Sequence, residues 1–123
     1  MNEKKPNIIK DKSFAFALRI VKCYKFLVDH KEFVLSKQLL RSGTAIGALV
    51  REAEHAESSA DFIHKMAIAQ KEANETEYWL ELLYQSDYLE TVQYQSIISD
   101  IQELNKILAS IIITSKEKKY GKR

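Results

Sequence analysis

The sequence predicts an all-α protein that folds as an antiparallel up-down-up-down four-helix bundle. Only one proline and three glycines occur among its 123 residues, far fewer than a protein made of many turns requires. Apolar residues recur at intervals of three and four positions in four segments, which is the period of an amphipathic helix. Short breaks separate these segments and favour antiparallel neighbours. We therefore expect one domain over residues 1–123 with short basic tails, and helices at residues 12–30, 33–56, 60–86 and 91–117.

The first predicted helix follows a polar N-terminal arm, residues 1–10. Asp11 or Ser13 can cap this helix, because either side chain can accept a hydrogen bond from an exposed backbone amide. The apolar pattern breaks between Asp29 and Glu32, where we expect a short turn. The predicted core line consists of Phe14, Ala17, Val21, Tyr24 and Val28, broadened by Leu18 and Leu27.

The second predicted helix contains two glycines, Gly43 and Gly47, one turn apart on the same face. An interior glycine costs about 1 kcal/mol relative to alanine, so we interpret the pair as a notch that lets a neighbouring helix approach closely. A phosphate-binding loop would instead require a preceding strand and a lysine after the second glycine. Ala48 follows Gly47, and no strand is predicted before it, so we reject that loop. The predicted core line is Leu35, Leu39, Ser42, Ile46, Leu49 and Ala53.

The third predicted helix opens with Ser58 and Asp61, a pair that resembles a capping box. Beside its core line runs a second, partly apolar line that includes Glu72, Glu75 and Trp79. This second line has two equally weighted interpretations, a wide bundle core or a contact between subunits. The predicted core line is Phe62, Met66, Ala69, Ala73, Thr76, Leu80 and Leu83. The candidate subunit contacts are Ile68, Trp79 and Leu82.

The fourth predicted helix begins near Thr91, which can cap it, and ends in the basic segment SKEKKYGKR. Its apolar residues again follow steps of three and four. The predicted core line is Tyr94, Ile97, Ile101, Leu104, Leu108 and Ile111. In an up-down bundle of four helices, the N-terminal arm and the C-terminal tail lie at the same end.

The charges divide the chain into three parts, although the net charge is only +2. Residues 1–51 carry 11 basic and 4 acidic residues, residues 52–103 carry 2 and 12, and residues 104–123 carry 6 and one. Lysine tails are usually just solvated, but two tails of one sign at one end could also contact a phosphate backbone. Tyr120 could stack on a base there. The candidate nucleic-acid contacts are Lys4, Lys5, Lys10, Lys12, Lys116, Lys118, Lys119, Lys122 and Arg123.

The same charge layout predicts self-association. The third helix is acidic and the first two are basic, so one copy can present complementary faces to the next. Head-to-tail contacts that close by rotation form a ring. We therefore expect a cyclic homo-oligomer.

Two carboxylate and imidazole pairs lie near the connection between the second and third helices, Glu52 with His55 and Asp61 with His64. Di-iron bundles use such pairs, but they project them into the core from several helices. Neither histidine lies on a predicted core line, and both lie near helix ends. Solvated histidines are therefore the preferred interpretation, and we expect no metal site.

Arg41 is expected to form a structural ion pair with Glu72, because a partly buried carboxylate needs a partner. Glu72 and Glu75 could alternatively serve as a general acid and base. The chain has no cleft-forming loop, no nucleophile and base at a recognisable spacing, and no cofactor motif. Cys23 is most simply a small residue at the edge of the core. We therefore expect no enzymatic activity and no cofactor.

The composition also predicts a location. A single cysteine, Cys23, suits a reducing compartment. The N-terminus has no apolar run typical of a signal peptide, and no segment has the roughly 20 apolar residues that a membrane span needs. We expect a cytoplasmic protein that does not bind a membrane.

The sequence resembles the four-helix-bundle protein family, the 23S ribosomal-RNA intervening-sequence proteins. The resemblance is densest in three segments, Arg41-Ser42-Gly43-Thr44, Glu52-Ala53 and Lys71-Glu72-Ala73-Asn74-Glu75-Thr76, and it extends from about Phe14 to Ile113. Two positions depart from the family pattern: Ala45 stands where these proteins often have serine, and Leu49 where they often have asparagine.

This resemblance implies an up-down bundle without catalysis, commonly assembled as a homopentamer. It extends to the accessory variability determinant of diversity-generating retroelements, a basic pentamer that binds nucleic acid. The preferred expectation is a non-enzymatic, self-associating bundle that binds RNA or DNA or serves as an accessory protein. The alternative is a structural or protein-interaction module with no nucleic-acid role.

Overall fold

The structure is a computed structural model that describes residues 7–121. These residues form four α-helices and no strand. The helices are α1 (Ile8–Asp29), α2 (Leu35–Ala53), α3 (Ser59–Gln85) and α4 (Thr91–Tyr120). Consecutive helices pack against each other and α4 returns to α1, whereas the backbones of the diagonal pairs, α1 with α3 and α2 with α4, do not approach within 8 Å between Cα atoms. The predicted all-α four-helix bundle is therefore confirmed. None of these four helices has the length and apolar character needed to cross a membrane.

The N-terminus of α1 lies earlier than the sequence predicts. Asn7 caps this helix in place of Asp11 or Ser13, and its side chain accepts a hydrogen bond from the backbone NH of Lys10 at 3.1 Å. Ile9, in the additional turn, is buried in the core. Its burial explains why the helix extends beyond the predicted cap. The rest of the predicted arm precedes the described residues.

The caps of α3 and α4 differ in how well the sequence predicts them. Ser58 caps α3 as predicted, because its hydroxyl accepts a hydrogen bond from the backbone NH of Asp61 at 3.0 Å. Glu90 rather than Thr91 caps α4. The backbone NH of Glu90 donates to the side-chain oxygen of Gln93 at 2.9 Å, as in a capping box.

The face of α1 that packs in the core is not the face that its periodicity predicts. The buried residues are Ile9, Ser13, Phe16, Ile20 and Leu27. Of the predicted residues only Leu27 is buried; the others are half-buried or exposed, with 49% of Phe14 and 55% of Leu18 accessible to solvent. Apolar residues surround most of α1, so their period alone does not determine which side packs inward.

The two glycines of α2 determine the side of α1 that packs. A Cβ atom added at Gly43 would lie 2.7 Å from Cγ1 of Ile20, far inside van der Waals contact. A Cβ atom added at Gly47 would lie 3.4 Å from the carbonyl oxygen of Ser13. The predicted notch is therefore confirmed, and Ile20 and Ser13 occupy it.

The cores of α2, α3 and α4 follow their predicted lines with small shifts. Ile63 is buried and Phe62 is half-buried in α3, and Ile112 is buried in place of Ile111 in α4. Neighbouring residues on a helix differ by about 100° in direction, so these shifts of one residue move the buried line toward one side of the apolar face. Three other predicted core residues are half-buried: Leu35, Leu49 and Tyr94.

Glu32, in the turn before α2, caps this helix. Its buried carboxylate accepts hydrogen bonds from the backbone NH groups of Val34, Leu35 and Ser36 at 3.3, 3.1 and 2.5 Å. Burial acts to raise the pKa of Glu32, but these hydrogen bonds, that of Ser36 first, outweigh burial and lower the pKa below its usual value. From the sequence, Glu32 is assigned only to a turn, because glutamate is not a usual capping residue.

Candidate functional site

The start of α1 and the last turns of α4 lie at the same end of the bundle. The side-chain amide of Asn7 donates to Glu54 Oε1 at 3.0 Å, which joins the start of α1 to the end of α2. An open cleft of about 350 Å³ lies between this end of α2 and the last turns of α4. Ser115, Lys118 and Lys119 form the α4 side of the cleft. The described residues at this end therefore include lysines that the sequence predicts to lie together.

The last turns of α4 carry three exposed lysines, Lys116, Lys118 and Lys119, which we call the lysine ridge. None of the three forms an ion pair with a carboxylate among residues 7–121. The ammonium group of Lys119 lies 5.4 Å from the centroid of the Tyr120 ring, within range of a cation–π contact. Cations near a helix C-terminus also interact favourably with the helix dipole.

The structure pairs the N-terminal lysines with acidic side chains. Lys10 Nζ lies 3.4 Å from Glu54 Oε2, and Lys12 Nζ lies 3.0 Å from Glu103 Oε1. Both pairs are partly exposed to solvent, so each is weakly held. Long-range pairing of this kind leaves no pattern in the sequence. The four remaining candidates lie outside the described residues: Lys4, Lys5, Lys122 and Arg123.

The residues of the two histidine pairs face solvent or have other partners. His55 and His64 are exposed, and Glu52 pairs with Lys65 at 2.9 Å. The carboxylate of Asp61 accepts a hydrogen bond from the backbone of the preceding turn. Across residues 7–121, no group of three histidine, cysteine or acidic side chains could hold a metal ion.

Arg41 contacts both glutamates of the second line on α3. Its guanidinium donates to Glu72 Oε1 at 3.1 Å and also to Glu75. The indole NH of Trp79 donates to Glu75 Oε2 at 2.9 Å. This indole first, and then Arg41, lower the pKa of Glu75 against the opposing effect of partial burial. A general acid or base works best when its pKa lies near the operating pH, and the lowered pKa of Glu75 lies further from pH 7 than usual. The contacts of Glu75 therefore support a structural role rather than acid–base chemistry.

A buried pair of hydroxyl groups also joins α2 to α3. Thr76 Oγ1 lies 2.9 Å from Ser42 Oγ and 2.8 Å from the carbonyl oxygen of Glu72. Both side chains are fully buried. The periodicity predicts that Ser42 and Thr76 lie on core lines, but it does not predict that they meet. Two hydroxyl residues on facing core lines were the signal for this contact, because a buried hydroxyl needs a partner.

The candidate subunit contacts on α3 are only partly accessible. Ile68, Trp79 and Leu82 are all half-buried, and Trp79 packs against the core. More exposed apolar side chains occur elsewhere, including Leu18 on α1 and Val92 on α4. The second line on α3 therefore contributes to the bundle itself.

A second cleft, of about 340 Å³, lies between α1 and α4. Its charged wall is formed by Lys22 and by Arg19, which donates to Asp100 Oδ2 at 2.5 Å. Cys23 also lines this cleft, and burial raises the pKa of its thiol to about 11, an effect that Arg19 only partly offsets. This cysteine is therefore protonated at neutral pH and poorly suited to nucleophilic chemistry.

Comparison with known proteins identifies a close structural relative. The chain is similar to the crystal structure of a protein with unknown function from the S23 ribosomal protein family of Bacteroides thetaiotaomicron VPI-5482. The TM-score is 0.84 at 65% sequence identity, and the match covers 85% of this chain and 97% of that chain. No curated protein matches the sequence. Residues 5–110 match the family described as 23S rRNA-intervening sequence protein, and this chain therefore belongs to that family.

Proposed function

We propose that this protein is a non-enzymatic, self-associating bundle that binds nucleic acid through phosphate contacts at the end that carries its termini. One observation carries the proposal: three exposed lysines of α4 form the lysine ridge, which lies beside the α2–α3 connection at the same end of the bundle as the start of α1. The family description names ribosomal RNA, which favours RNA as the partner and the cytoplasm as the location.

Phosphate binding needs little more than accessible cations. The lysine ridge places three ammonium groups on the last turns of one rigid helix. Lys10 and Lys12 are held by surface ion pairs, each worth about 0–1 kcal/mol. Because these pairs are weak, both lysines can exchange a carboxylate for a phosphate. Flexible lysines contact phosphates and do not read base edges, so sequence preference should be weak.

Self-association would bring the basic ends of several subunits together. A ring of parallel subunits presents one lysine ridge per subunit on the same side, and the ridges of different subunits can contact separate phosphates of one nucleic acid. Five subunits are favoured by the resemblance to the family and its nucleic-acid-binding relatives.

The test is a salt-dependent titration with structured RNA, duplex DNA and single strands. Affinity should fall steeply as salt rises, because each phosphate contact releases condensed counterions. Removal of residues 116–123 should weaken binding to all nucleic acids alike and reduce the salt slope by roughly one for each phosphate that these residues bind. Helix content should fall only by the five helical residues that are removed, 116–120, and oligomer size should not change.

A matched control distinguishes binding by the lysine ridge from a general effect of positive charge on the protein. Replacement of Lys71 and Lys106 by glutamine removes two exposed cations from other parts of the bundle and should affect binding far less than Lys118→Gln with Lys119→Gln. If the intact protein binds no nucleic acid even at low salt, the nucleic-acid part of the proposal is wrong.

The second candidate function is a structural or protein-interaction module without a nucleic-acid role. The ion pairs of Lys10 and Lys12 favour this candidate, because they neutralise part of the positive charge at the terminal end. It predicts no binding at physiological salt and no effect of removing residues 116–123.

A further inference from the structure

The cleft between α1 and α4 that Cys23 lines, which we call the Cys23 cleft, lies where the bundle is least closed. α1 and α4 pack against each other less extensively than the other neighbouring helices of the bundle do. The other neighbouring pairs are consecutive in the chain and joined by short connections, whereas α1 and α4 are not consecutive. The looser packing between α1 and α4 leaves room for a ligand beside the core.

The floor of the Cys23 cleft is apolar. Phe26 of α1, Leu89 of the α3–α4 connection and Ile97 of α4 line it, and each belongs to the hydrophobic core or packs against it. The volume of about 340 Å³ lies in the range of sites that bind small molecules, about 300–1,000 Å³. A cavity of about 150 Å³ holds benzene, so this cleft can hold a ligand of roughly twelve non-hydrogen atoms.

The α1 side of the cleft carries two cations, Arg19 and Lys22. Lys22 is exposed and forms no ion pair with any residue of the range 7–121. Arg19 donates to the carboxylate of Asp100, to the backbone carbonyl of Ser96 and to the hydroxyl of Ser96. These contacts hold the guanidinium in place, and it has more N–H donors than they use. Both cations can therefore donate to a ligand.

The rest of the lining supplies no negative charge. Residues 52–103 carry 12 acidic and 2 basic residues, yet the lining residues from this part of the chain are uncharged: Leu89, Gln93 and Ile97. Cys23 is protonated at neutral pH, because burial raises the pKa of its thiol to about 11. Asp100 offsets one of the two positive charges, so one remains for a ligand with a single negative charge.

We infer that the Cys23 cleft binds a small organic carboxylate with an aryl or alkyl body. The carboxylate accepts hydrogen bonds from Lys22 and Arg19, and the apolar body covers the floor of the cleft. A carboxylate carries one negative charge, whereas a phosphate monoester carries nearly two at pH 7, so a carboxylate matches the remaining charge better. The inference is independent of the proposed function, because the Cys23 cleft and the lysine ridge are formed by opposite ends of α4.

The test uses the thiol of Cys23 as a reporter, since the full chain contains no other cysteine. The rate at which N-ethylmaleimide modifies the protein at pH 8 is followed by mass spectrometry, with 4-phenylbutyrate as the probe. At a probe concentration of about ten times its Kd, the rate should fall about tenfold, because only the free cleft exposes the thiol. The neutral analogue 4-phenylbutanamide should need at least about fivefold more for the same protection, because it lacks the charge that strengthens the hydrogen bonds.

Matched variants locate the effect in the cleft. Lys22→Gln should weaken protection about two- to fivefold, the size of an exposed ion pair, whereas Lys71→Gln, which removes an exposed cation of α3, should not change it. In a variant that combines Cys23→Ala with Ala48→Cys, the thiol lies on the exposed face of α2, and the probe should not slow its modification. Circular dichroism checks that each variant is folded.

Any of three results would overturn the inference. An unchanged rate of Cys23 modification at millimolar probe would show that the cleft does not bind the carboxylate. Equal protection by 4-phenylbutyrate and 4-phenylbutanamide would show that the cations do not recognise its charge. Slower modification of the cysteine at position 48 would show that the probe acts on the whole protein and not at the cleft.

Discussion

The buried carboxylate of Glu32 shows how one residue in a turn can stabilise a whole helix. Three backbone NH groups at the start of α2 donate to it. We expect Glu32→Gln to lower the free energy of unfolding by about 1 kcal/mol, the size of a typical helix cap. Urea denaturation at pH 7 measures this change, and Glu57→Gln, at an exposed position, is the control.

The contribution of Glu32 should depend on pH. Its pKa in the folded protein lies below the usual value of 4.5, so folding favours the ionised form. The stabilisation should be fully present above pH 4.5 and decline as the pH falls through the lower pKa of the folded state. Glu32→Gln should therefore lose less stability than the unmodified protein below pH 4.5. Equal losses would show that the carboxylate does not cap α2.

At the scale of helix pairs, Arg41 links α2 to two glutamates of α3. Arg41→Ala should destabilise the bundle more than Lys71→Ala does, because it leaves Glu72, only 16% exposed, without its cation. A double-mutant cycle with Glu72→Ala should show a coupling of at least about 0.5 kcal/mol. The half-exposed guanidinium keeps this value modest. Additive effects would mean that the two side chains do not interact.

The contact between α1 and α2 depends on two glycines in different degrees. Gly43→Ala should destabilise the protein by roughly 1–3 kcal/mol, because its Cβ atom would overlap Ile20. Gly47→Ala should cost less, since its Cβ atom would lie 3.4 Å from the nearest atom. Thermal denaturation of both variants checks this order. The higher helix propensity of alanine acts in the opposite direction in both, so an equal stabilisation would contradict the notch.

Helices differ in how well their sequence determines their orientation. α3 has small and apolar core residues bounded by charged ones, so its core line is correct from Met66 to Leu83. The pairing of Arg41 with Glu72 also follows from the sequence, because both lie near the middle of consecutive antiparallel helices. In α1 the predicted line is wrong, because Phe14 and Leu18 lie on the same exposed side of the helix as charged residues, Asp11, Lys22 and Lys25.

At the scale of the whole molecule, the sequence predicts the topology and the clustering of termini, because these depend on helix number and loop length alone. The ion pairs of Lys10 and Lys12 with Glu54 and Glu103 could not be predicted. They join residues that are far apart in the chain, and their formation depends on the reach of long side chains after the bundle has assembled. The effective charge of the terminal end is therefore a property of the fold.

The notch formed by Gly43 and Gly47 also affects the uniqueness of the native state. α1 has two apolar faces, and either could in principle face inward, so rotation of this helix offers the chain two competing packings. The notch accepts Ile20 and Ser13 from one face only. The glycines thereby widen the energy gap between the correct rotation and the alternative. The glycines lower the helix propensity of α2, but they favour a single orientation of α1.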